Sequence, residues 1–75
     1  MRIGDIVIYV DVSKPIESQH NPAIVTHIWS DTVVNLVVFN DGSYDSGSPA
    51  CFQVTSAVHQ GAAGEGNNYF YVPGE

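Results

Sequence analysis

"AIVTHIWSDTVVNLVVFNDG" occupies residues 23–42, and its reading decides the fold. The seventeen residues from Ala23 to Phe39 carry a single charge, Asp31. Apolar and aromatic residues fall on both parities of the alternation. A strand pair in a small protein usually keeps one face wet, with polar residues at every second position. Here something has to cover the second face.

The pattern predicts a hairpin of strands over 23–29 and 32–40, with Ser30-Asp31 at the turn. Loop length sets which side chains share a face, because a slip of one residue exchanges the faces. A two-residue loop places His27 opposite Val34, and a three-residue loop including Thr32 places Ile28 there. The longer loop separates polar from apolar better and is preferred. It collects Ile24, Ile28, Val34, Leu36 and Val38 on an aliphatic face. Val25, His27, Trp29, Val33, Asn35, Val37 and Phe39 form a mixed face, too apolar for open water and too polar for an interior. Its cover is either the rest of the chain, with Tyr69, Phe70 and Tyr71 as candidates, or a second copy, or a ligand in a crevice between copies.

Outward from the hairpin, "IVIYV" at 6–10 reads as the first strand, from its β-branched residues. "DVSKPIESQHNP" at 11–22 reads as a long loop, and Asn40-Asp41-Gly42 as a tight turn. "SYDSGSP" at 43–49 reads as irregular, "ACFQVTSAV" at 50–58 as one or two strands, and "HQGAAGEGNN" at 59–68 as a flexible, Gly-rich loop. "YFYVP" at 69–73 closes the chain as a strand. No segment sustains a helical apolar period. The expectation is an all-β domain over 1–75, a small SH3-like or OB-like barrel or roll of five to six short antiparallel strands.

Composition limits the function. Charged residues make up only 13% of the 75, so part of the surface is expected to be covered. Eight acids against two bases, Arg2 and Lys14, give a net charge of −6. That argues against a nucleic-acid duplex or a polybasic membrane patch, both of which need clustered Lys and Arg. A single nucleotide needs far less positive charge. The sole cysteine, Cys51, excludes an internal disulfide and fits a reducing, cytoplasmic setting; it is expected to be a small buried hydrophobe. Neither a signal peptide nor a membrane span is expected.

No catalytic or metal motif is legible. His20, His27 and His59 lack ligand spacing, no Gly-x-Ser-x-Gly elbow exists, and "GAAGEGNN" lacks the Lys-Ser/Thr of a phosphate loop. Neither an enzyme nor a cofactor is expected. His27 is expected to hydrogen-bond through a ring nitrogen, and His20 and His59 to be solvated in loops. Ser30, Asp31 and Thr32 are first of all turn chemistry, with hydroxyl or carboxylate capping local amides. The sharper reading makes them hydrogen-bond partners of a ligand or subunit, together with Trp29, His27 and Asn35. Arg2 would add a local positive charge, and Tyr69 and Tyr71 stacking surfaces.

The run "PAIVTHIWSDTVVNLVVFNDG", with "GDIVIYV" before it and "TSAVH" and "NNYFYVPGE" after it, resembles a set of small proteins predicted in bacteriophage and prophage genomes. The core carrying the resemblance is WSDT-x-VNL-x-VF-x-DG. The terminal stretch departs from that set in lacking its Trp or His. The resemblance implies a phage origin and a compact domain, and transfers no catalytic residue. It implies a protein working by stoichiometric binding: the leading expectation is an oligomeric anti-defence sponge that sequesters a small host ligand such as a nucleotide immune signal, and the alternative is an interaction module for a host or virion protein.

Overall fold

A computed structural model describes residues 1–40 and 50–75. The expected turn at 40–42 and irregular stretch at 43–49 lie, beyond Asn40, outside the described residues. Five strands form one antiparallel sheet: β1 (Ile6–Val10), β2 (His20–Ile28), β3 (Val33–Phe39), β4 (Cys51–Val58) and β5 (Tyr69–Tyr71). The order across the sheet is β4-β3-β2-β1-β5. This is a meander whose last strand returns beside the first, the SH3-like alternative, since an OB-fold would need a Greek key. The sheet curls until the end of β4 reaches β5, where His59 bridges to Phe70.

The loop 11–19 holds one 3-10 turn, Ile16–Ser18. Asn21, 1% exposed, pins that turn to the start of β2 by donating from Nδ2 to the carbonyls of Ser18 and Gln19. β2 begins at His20 rather than 23, because Pro22 stands opposite Ile8 without breaking the pairing. The Gly-rich loop is tied down by Asn68. Its Nδ2 donates to the Tyr9 hydroxyl, and its Oδ1 accepts from the Val12 amide. Burial raises the Tyr9 pKa above its ordinary value, against the lowering by Asn68.

The hairpin register agrees at the turn and differs beyond it. Ile28 stands opposite Val34, as the three-residue loop requires. Between Val25 and His27 the register shifts, so that Val25 faces Leu36 and Ile24 faces Val37. One extra residue, Thr26, bulges out of β2, and the faces of its first half exchange. The core is therefore Val7, Tyr9, Ala23, Val25, Val34, Leu36, Val38, Ala57 and Phe70, with Ile28, Phe52, Val54 and Val72 against it. Val25 goes inside and Ile24 outside, the reverse of the sequence expectation. Nothing in the spacing of apolar residues marks a bulge.

This register has a direct test. Val25→Asp buries an unpaired carboxylate and is expected to cost several kcal/mol, on the order of 3–5. Ile24→Asp, half-buried on the outer face, is expected to cost less, about 1–2 kcal/mol. Urea unfolding of the two variants measures the difference, and equal losses would contradict the bulge at Thr26.

Candidate functional site

β3 is bulged against on both sides at one level. On its β2 side the extra residue is Thr26. On its β4 side the register shifts between Val34 and Leu36, where Thr55 and Ser56 together oppose Asn35. Ser56 takes the left-handed backbone conformation there, with φ 57°. A non-glycine residue holds that conformation only where its surroundings compensate. The compensation comes from Asn35, whose Oδ1 accepts from the Ser56 amide at 2.9 Å.

The same oxygen accepts from the Trp29 indole N–H at 2.9 Å. Both partners are N–H donors, so the oxygen of the carboxamide is the atom that must face them. His27 meets Trp29 edge to face, with ring centroids 4.3 Å apart, a ring contact in place of the expected ring-nitrogen hydrogen bond. Trp29 is thus fixed by two neighbours while 62% of it stays exposed. The Nδ2 of Asn35 has no partner among the described residues and, since no polar side-chain atom of the described residues is both buried and unpaired, it reaches water.

Around this platform the outer sheet face stays apolar. Ile24 and Val37 stand opposite each other and are half-buried; Ile6, beside Ile24, is 55% exposed and Phe39 38%. Phe70, expected as a possible cover, lies in the core. Tyr69 and Tyr71 are half-buried on β5, one strand beyond β1, and Tyr71 stacks edgewise on His20. Trp29 and Phe39 both keep exposed surface, Trp29 the more.

The nine candidate residues therefore divide. His27, Trp29 and Asn35 form one cluster. Ser30 serves the turn, accepting from the amides of Thr32 and Val33 on Oγ at 3.3 and 3.1 Å. Thr32 contributes its carbonyl, which accepts from the His59 amide. Arg2 is exposed, and its backbone amide donates to Asp5. Tyr69 and Tyr71 belong to another part of the sheet. Cys51, expected to be buried, is exposed on the outer face opposite Phe39.

Asp31 turns away from this cluster into an open depression of about 420 Å³, lined also by Met1, Asp5, His59, Val72 and Glu75. Three carboxylates make it hostile to anions. His59 is no solvated loop residue. Its Nδ1 accepts from the Gly61 amide, so its Nε2 carries the hydrogen that Glu75 Oε1 receives. Glu75 also accepts from the Val72 amide at 3.1 Å. This clasp was not legible, because no spacing joins positions 59 and 75. Among the described residues no group of three His, Cys, Asp or Glu could hold a metal ion, and no helix is long and apolar enough to cross a membrane.

Comparison with protein-family models, with curated proteins and with solved structures gives no match.

Two expectations follow. Asn35→Ala removes both bonds to Oδ1 and is expected to cost about 1–3 kcal/mol in urea unfolding, at about 0.5–1.5 per bond. Because Trp29 is the only tryptophan, its fluorescence anisotropy should fall in the same variant, reporting a freed indole. For pH, the Val72 amide and then His59 hold the Glu75 carboxyl below its ordinary 4.5. A depressed carboxylate stabilises the fold above 4.5 and loses that contribution as pH falls through its lowered value. The protection of the Val72 amide against exchange, relative to its intrinsic rate at each pH, should therefore fall as pH drops below 4.5 through the lowered value, and Glu75→Gln should remove that fall.

Proposed function

We propose that this protein is a phage accessory module that acts by stoichiometric binding, burying its outer sheet face against another protein. The observation that carries the reading is Trp29, exposed yet immobilised by Asn35 and His27. An exposed aromatic with little conformational freedom left to lose is what binding hot spots are made of. Ile24, Val37 and Phe39 extend the apolar contact beyond it. The charge of −6 favours a partner with a basic rim, drawn in by the field and seated on the apolar face.

A second reading keeps the nucleotide sponge. A nucleobase could stack on the Trp29 indole and accept from Asn35 Nδ2, with a neighbouring copy supplying the opposite wall. Phosphates find less support, since Arg2 is the only Lys or Arg among the nine candidates in a chain of net charge −6. The phage setting of both readings rests on the sequence resemblance.

Native mass spectrometry of protein purified from a phage-infected host, with a thermal-shift panel of cyclic and linear nucleotides, separates the two. The protein-module reading expects a co-purifying protein partner and no shift with nucleotides. Trp29→Ala should weaken that complex by about thirtyfold or more, the loss for a hot-spot tryptophan. A retained nucleotide, lost on Trp29→Ala, would replace this reading with the sponge.

A further inference from the structure

We propose that β4 is a pairing edge, and that its occupant is the β4 of a second copy, joined antiparallel across a two-fold axis at Gln53. The inference stands on the backbone of β4 and does not require the Trp29 platform to bind anything.

The ladder fixes which groups point outward. Asn40 N–H donates to the Ala50 carbonyl, so residues 40 and 50 form a hydrogen-bonded pair. Bonded and non-bonded pairs alternate along an antiparallel ladder. Val38 with Phe52 and Leu36 with Val54 are then bonded pairs, while Phe39 with Cys51 and Val37 with Gln53 are not. The N–H and C=O of Cys51 and Gln53 therefore point away from β3. Thr55 is next in the alternation and opens the bulge that it forms with Ser56. None of these outward groups has a hydrogen-bond partner among the described residues.

Native edges are usually blunted by charge, proline or a bulge. β4, "CFQVTSAV", carries no charge, no proline and no glycine, and its bulge begins only after Val54. The sheet's other edge, β5, is already occupied: Gln60 N–H donates to the Phe70 carbonyl and His59 bridges to Phe70. Among the described residues one edge is open, so edge-to-edge pairing of two copies is isologous and closes at two.

That geometry suits a second copy. With Gln53 opposite its own counterpart, the two Gln53 residues exchange two backbone hydrogen bonds, and Cys51 of each chain faces Thr55 of the other, where the bulge begins. Each copy carries −6, and like-charged molecules approach most cheaply along a strip without charge. The union also sets the two outer faces side by side, along the line of Val37 and Gln53.

Gln53→Pro tests the proposal. A proline at an outward N–H of an edge strand leaves the ladder to β3 intact and removes a donor from the junction. Gln53→Glu is the second variant, placing like charges at the axis. Analytical ultracentrifugation between about 1 and 100 μM should give a dimer for the native chain and at least tenfold weaker association for both variants, with unchanged circular dichroism. If Gln53→Pro unfolds, Gln53→Glu decides. Trp29→Ala should leave the dimer intact whatever it does to partner binding, which separates this proposal from the function proposed above. A native chain that stays monomeric at 100 μM, or a dimer that survives Gln53→Glu, overturns it.

Discussion

The curl of this sheet depends on one carboxamide. Asn35 sits on β3 at the level where β2 and β4 each carry an extra residue, and its Oδ1 binds across to Ser56 and to Trp29. A bulge bends its strand and raises its twist. Two bulges flanking one strand at one level bend the sheet there from both sides, and β4 is carried round toward β5. The oxygen that holds the left-handed Ser56 also holds the indole. The element that shapes the fold and the element that presents the candidate contact are therefore one.

The arrangement also accounts for where the apolar residues go. With 75 residues the chain can fill one core, and the inward positions of all five strands fill it. Ile6, Ile24, Val37 and Phe39 are left over on the other side of the same strands. A chain this poor in charge cannot surround them with ionic groups. The sequence question of what covers the second face thus becomes in part a question about partners, because Ile6, Trp29 and Phe39 on that face stay exposed.

Much of the fold was legible and the reasons are local. β1 was read to the residue, since Ile6–Val10 combines β-branched residues with flanking turn signals. The three-residue loop was legible because it separates polar from apolar side chains, and Ile28 does oppose Val34. The bulge at Thr26 was not, because a bulge is set by the neighbouring strand and leaves no mark on alternation within β2. The same limit hid the exposure of Cys51, whose residue type favours burial but whose parity points outward. Of the candidate site, His27, Trp29 and Asn35 were found by residue type, and they do meet. Tyr69, Tyr71 and Arg2 were named on aromaticity or charge alone, and the strand order separates the tyrosines from that cluster.

The meander brings every strand but one against its neighbour in sequence. Only the pairing of Val10 with Tyr69 encloses most of the chain. In polymer terms the entropy of closing such a ring grows with the logarithm of its length, about 0.6 kcal/mol for each doubling. Lengthening the Gly-rich connection of residues 61–67 would therefore change the closure entropy very little. The grip of Asn68 on Tyr9 and Val12, rather than the shortness of the connection, is what locates that connection on the body.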